Sequence, residues 1–258
     1  MNVRSMWEAL FTAGLLCFTG CPPSYPSYDA ELSDFEEMHV WTRASDSRLT
    51  VSLSDALATS NEECPRLTSE AEVDIDGVPI PMSREGGGTH VGPFCEDTVF
   101  SLDAEGFPPA ADINTITIAD DSLTVVVAIA NLLAERTLTL VSHPDGEMMV
   151  GDEVVITMTP DTDSNIANRI SFRVEEEGTP PVDEEDWESP NRVILEDVEV
   201  DGTTFTFIVP PLEPEVGSWC LFANEKSEPQ IVTCDGIETC RSTYRLPSPF
   251  CVPATIVD

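Results

Sequence analysis

Asp161-Thr162-Asp163-Ser164-Asn165 places three oxygen-bearing side chains at alternate positions. That is the D-x-D-x-N opening of an oxygen-rich calcium loop, because a hard divalent cation is held by several carboxylate and amide oxygens. The rest of an EF-hand loop does not follow. Ile166 occupies the glycine position, and Phe172 stands where a bidentate Glu would close the loop. Asx turns joining two strands use the same residues without a metal. Asp161, Asp163 and Asn165 are therefore candidate calcium ligands, with turn formation as the competing explanation. Asp74-Ile75-Asp76-Gly77 is a poorer version, since alternation puts both carboxylates on one strand face and the glycine serves the turn.

Catalytic chemistry has few residues to use. His39, His90 and His143 are the only histidines, and none lies in an H-E-x-x-H pair. Neither a G-x-S-x-G elbow nor a phosphate-binding loop is present. His90 follows Gly86-Gly87-Gly88-Thr89, but no helix or lysine follows to make an anion site, so a hairpin tip is expected. The segment 175–190 holds eight acidic residues, three prolines and Trp187. It reads as a solvated loop in which Trp187 could anchor a basic protein or a glycan ligand. The expectation is a non-enzymatic protein. A calcium-dependent adhesion module is the first alternative and a secreted-type hydrolase the second. No cofactor other than calcium is suggested.

Cysteine is the other reactive residue. Cys64, Cys95, Cys220, Cys234, Cys240 and Cys251 form an even set, which in an exported chain implies disulfides. If each half of the chain folds separately, Cys64 pairs with Cys95 and the other four pair among themselves. Zinc is disfavoured, because the spacings lack a C-x2-C pair.

Two further cysteines precede these. Ala9 to Phe18 supply about ten mostly apolar residues, too short for a bilayer of roughly 30 Å and suited to a secretory signal. Phe18-Thr19-Gly20-Cys21 then ends that stretch. This resembles the lipobox of bacterial lipoproteins. The resemblance covers residues 1–21 and implies cleavage before Cys21, lipidation of Cys21 and attachment to the bacterial cell envelope. An outer-membrane site is expected, periplasmic or surface-exposed.

The chain carries 48 acidic and 12 basic residues, a net charge of -36. Such a surface repels nucleic acid, whose binding depends on neutralised phosphates. It also repels anionic lipid headgroups, so membrane attachment must come from the lipid.

The remaining sequence must position these groups, and it reads as strands. Leu49, Val51 and Leu53 alternate with polar residues. Val73 and Ile75 lead through Asp76-Gly77 to Val78 and Ile80, a hairpin with a primed turn. Thr98 to Leu102, Ile113 to Ile118 and Leu123 to Ile129 continue the pattern. Thr137 to Val141, Glu153 to Met158, Ile170 to Val174, Arg192 to Leu195, Val198 to Val200, Phe205 to Val209, Trp219 to Phe222, Gln230 to Thr233 and Cys251 to Val257 complete it. Short strands at such spacing suggest sandwiches. Gly217-Ser218-Trp219-Cys220-Leu221-Phe222-Ala223 is similar to immunoglobulin strand F, although the strand that would carry its bridge partner, Val154 to Thr159, has no cysteine. The resemblance implies an immunoglobulin-like architecture. The expected organisation is all-β: a signal over 1–20, a lipidated Cys and Pro-rich tether over 21–34, and tandem immunoglobulin-like sandwiches over 35–132 and 133–258.

Overall fold

The computed structural model describes residues 27–43, 48–54, 64–67, 71–88, 95–164, 170–174, 192–212, 217–223, 226–246 and 251–257. These are all-β, interrupted by two 3-10 turns at Leu32–Asp34 and Ala104–Gly106. Among them no helix is long and apolar enough to cross a membrane. Two hydrophobic cores divide the molecule into two sandwiches.

In the first sandwich one sheet has the order Asp163–Ser164, Lys226–Pro229, Thr239–Arg245, Glu37–Arg43, Arg48–Ser54, Thr98–Asp103, Met82–Arg84. The facing sheet has the order Ile231–Asp235, Thr124–Ala130, Ile113–Ala119, Glu72–Ile75, Val78–Pro79. Each long strand alternates, so Met38, Val40, Leu49, Val51 and Phe100 meet Ile75, Ile116, Ile118, Val125 and Val127 in the core. The hairpin at Asp76-Gly77 has φ of 50° and 81°, as a type I′ turn requires at both central positions.

The second sandwich packs Thr137–Leu140, Glu153–Thr159, Thr204–Ile208, Glu199–Asp201 against Glu147–Met148, Cys251–Ile256, Gly217–Phe222, Ser171–Val174, Arg192–Ile194. This is the strand order of an immunoglobulin sandwich, with the opening segment split between the two sheets. Trp219 and Phe207 both meet Phe172 edge to face at its centre, with ring centroids 6.4 and 5.7 Å away.

The sheets cross the boundary expected after residue 132. Strands Lys226–Pro229, Ile231–Asp235 and Thr239–Arg245 lie between the last two strands of the second sandwich, yet they pair within the first. Thr239–Arg245 runs parallel to Glu37–Arg43 over seven residues in register. The two sandwiches are thus interleaved rather than strictly tandem. The physical reason is that alternation identifies a strand but not its partner, and this pairing joins residues some 200 positions apart. Ser27–Ala30 also belongs to the fold, not to a tether: it pairs with Cys64–Leu67, and Leu32 is fully buried.

Three disulfides follow this layout. Cys64–Cys95 lies in the first sandwich, Cys234–Cys240 within the inserted segment, and Cys220–Cys251 links the two strands that flank the insertion. By the chain-entropy model the two bridges of separation 31 each contribute about 3–4 kcal/mol.

Candidate functional site

The inserted segment brings most of the described basic side chains together. On Glu37–Arg43 the residues Met38, Val40 and Thr42 point inward, so Glu37, His39, Trp41 and Arg43 face out. On Thr239–Arg245, Ser242 and Tyr244 are buried and Arg241, Thr243 and Arg245 face out. Register then fixes a row across four strands, Lys226 opposite Arg245, Arg245 opposite Arg43, Arg43 opposite Arg48. At about 4.8 Å per interstrand step the row spans roughly 14 Å. Arg241 lies beside His39, and Arg84 lies on the same face at the far edge strand. Six of the chain's twelve Lys and Arg residues therefore share one sheet face.

Acidic groups accompany them. Arg48 Nε lies 3.0 Å from Asp103 Oδ1, and Arg241 Nε lies 2.9 Å from Glu37 Oε1. The Arg48–Asp103 pair is solvated and contributes little to stability, while in the Arg241–Glu37 pair the arginine is exposed and the carboxylate half-buried.

A cleft of about 700 Å³ opens at one end of this face, where the chain leaves Lys226–Pro229 for the opposite sheet. His39, Arg241, Thr243, Asp161, Glu228 and Gln230 are among the residues that line it. His39 Nε2 is 2.9 Å from the Thr243 hydroxyl oxygen, and its ring lies 4.5 Å from that of Trp41. Burial, then the positive charges of Arg241 and Lys226, lower the His39 pKa to about 4. The imidazole is neutral at pH 7, so it serves as a hydrogen-bonding group and not as a cation.

The calcium expectation meets a different arrangement. Asp163 points inward. Its carboxylate takes a two-pronged contact from Arg136, Nε to Oδ2 at 2.8 Å and Nη2 to Oδ1 at 2.9 Å, and the Ser227 hydroxyl donates to Oδ2 at 2.6 Å. Both side chains of the ion pair are fully buried. Arg136 Nη1 also donates to the carbonyls of Asn131, Leu132 and Ala134, and the guanidinium lies 3.8 Å over the Tyr244 ring. Asp163 thus neutralises a buried cation instead of facing a metal. Asp161 stays exposed on the cleft, and Asn165 lies outside the described residues. Asp76 is also committed to structure, accepting from Asn114 Nδ2 and Thr115 N at 2.8 Å each. Asp74 accepts from Gly77 N.

Of the other expected groups, Cys21, His90 and Trp187 lie outside the described residues. His143 sits between Ser142, whose Oγ is 2.8 Å from Nδ1, and Asp152, whose Oδ2 is 3.4 Å from Nε2. These three types resemble a hydrolytic set, but each flanking group holds backbone. Ser142 Oγ accepts from Val155 N and Asp152 Oδ2 from Met149 N. The geometry closes a turn.

Sequence reading missed Thr239–Arg245 altogether, and with it Arg241, Thr243 and Arg245. Its alternation of Cys240, Ser242 and Tyr244 with Thr and Arg was the available signal. A buried serine in place of an apolar residue concealed it.

No family model matches the chain, and no curated protein does. Among solved structures it is similar to "Crystal structure of Dpr11 IG1 bound to DIP-gamma IG+IG2", at 9% identity and a TM-score of 0.19 over 81% of this chain and 95% of that one. So low a score carries no argument, and the immunoglobulin-type sandwich rests on strand order alone.

Proposed function

We propose that this is an exported, lipid-anchored protein of the bacterial cell envelope, non-enzymatic, with a structural or interaction role. The observation that supports this reading is the set of three disulfides in an all-β body. Structural disulfides persist in oxidising compartments. The lipobox-like residues ending at Cys21 supply the anchor. The basic sheet face and its cleft supply a surface for a ligand, and the turn-forming roles of Asp152 and Ser142 favour binding over turnover.

Replacing the anchor residue tests the reading. Cys21→Ser should move the protein from the membrane fraction to the soluble one and abolish labelling by fatty acid. A Cys21→Ser chain that stays with membranes and still carries fatty acid would overturn the anchor. Mature protein recovered with all six downstream cysteines as free thiols would overturn export.

A further inference from the structure

We propose that the cleft at the end of the seven-stranded sheet binds a neutral oligosaccharide, with Trp41 beside it as a stacking platform. The juxtaposition is of the Asp161 carboxylate, the Gln230 amide, the Thr243 hydroxyl and the His39 imidazole in one cleft, with the Trp41 ring against His39. The inference deepens the interaction role proposed above and does not depend on the lipid anchor.

Unused hydrogen-bonding capacity comes first. Among the described residues no hydrogen bond engages the exposed Asp161 carboxylate or the side-chain amide of the exposed Gln230. Gln230 is fixed through its backbone instead. Its N–H donates to the Thr162 carbonyl at 3.0 Å and its carbonyl accepts from Ala130 N at 2.9 Å. The backbone thus holds its place at the cleft without using the side chain. His39 meets the Thr243 hydroxyl through Nε2, which leaves Nδ1 for a ligand. The ring is neutral at pH 7, so this pair both donates and accepts. Arg241 is held by Glu37, yet a guanidinium has more N–H groups than one carboxylate takes. At about 700 Å³ the cleft has the size of a small-molecule site.

Charge does not mark this cleft out. Asp161 and Glu228 oppose an anion, and a cation has 48 acidic side chains to choose among. What converges here is a mixture of acceptors with groups that both donate and accept. A sugar hydroxyl does both at one oxygen, and its neighbours on the ring reach adjacent protein groups, so a polyol satisfies such a mixture. An apolar ligand would strip water from Asp161 and Gln230 and put nothing in its place. A peptide added as a strand would be held by main-chain groups, whereas the groups with capacity here are side chains. Trp41 supplies the remaining element. It faces outward on Glu37–Arg43, half-buried, with its ring centroid 4.5 Å from that of His39. The C–H face of a sugar ring stacks on such an aromatic surface.

The test titrates the full-length protein, in a polyoxyethylene detergent that carries no sugar, with dextran, laminarin, mannan, galactan and chitin oligomers. Polygalacturonate, polyglutamate and polylysine are the charged comparisons. At least one neutral glycan should bind saturably, tighter than all three charged polymers, and with less than a twofold change between low and moderate salt. The double variant Asp161→Ala/Gln230→Ala should weaken that binding by roughly tenfold or more, through the lost hydrogen bonds. Trp41→Leu should weaken it as well. Asp161 and Gln230 are exposed and their backbone contacts survive truncation, so the double variant should fold, as its melting curve will show. It decides the matter even if Trp41→Leu does not fold. The proposal is overturned if no neutral glycan binds, if a charged polymer binds as tightly, if salt abolishes the binding, or if the folded double variant binds in full. Any of these leaves the Cys21→Ser result unaffected, so loss of the ligand and loss of the anchored reading are separable.

Discussion

Removing Arg136 should be the most damaging single side-chain change in the described structure. Its guanidinium is fully buried and makes two contacts with Asp163, itself fully buried. It also ties down the carbonyls of Asn131 and Leu132 at the passage between the sandwiches. Arg136→Met keeps much of the volume but leaves the Asp163 carboxylate with the Ser227 hydroxyl as its remaining described partner. Breaking a buried pair from one side costs about 3–5 kcal/mol, because the survivor is an uncompensated buried charge. For a chain of this size a loss of that order lowers the melting temperature by roughly 6–20 °C. Asp163→Leu should cost a similar amount. The double variant Arg136→Met/Asp163→Leu should cost clearly less than the sum of the singles, since no unpaired charge remains. Urea unfolding of the wild type and the three variants, followed by tryptophan fluorescence, gives the coupling energy. Singles that each lose under about 1 kcal/mol, or effects that simply add, would refute the claim that breaking this buried pair leaves a costly uncompensated charge.

Three other outcomes follow from named contacts. Gly236 has a φ of 88°, and a Cβ there would lie 2.5 Å from the Thr124 carbonyl oxygen, so Gly236→Ala should destabilise by about 1–3 kcal/mol, read from the denaturation midpoint. His39 has its folded pKa depressed to about 4 from 6.5, so its contribution is present above pH 6.5 and is lost as pH falls towards 4. Protonation costs at most about 3 kcal/mol, less for a ring in partial contact with solvent, and a His39→Gln variant should show a flatter stability profile between those pH values. Cys220→Ser/Cys251→Ser should lose about 2–4 kcal/mol and open the inserted segment to proteases before the rest of the chain, checked by limited proteolysis with fragment mapping.

What the sequence determined by itself was local. Period-two alternation in Ile113–Ala119 and Glu153–Thr159, and the Asp-Gly turn at 76–77, are written in neighbouring residues, so the all-β character was legible. Cysteine clustering separated Cys64 and Cys95 from the other four for the same reason. The sequence carried no sign of partner choice between distant strands. Parallel pairing of Glu37–Arg43 with Thr239–Arg245 joins segments some 200 positions apart, and nothing in either segment's own alternation names the other. Only the tertiary structure therefore showed that a segment inside the second sandwich completes the first. The same step reversed two readings of charge. Asp163 looked like a cation ligand among its neighbours and became the partner of Arg136, 27 positions earlier, when folding buried both. Net charge described an acidic protein, while strand register gathered Arg43, Arg48, Arg241, Arg245 and Lys226 onto one face. Composition sums charges without positions. A surface potential depends on which residues share a face, and that is fixed by register across strands far apart in the chain.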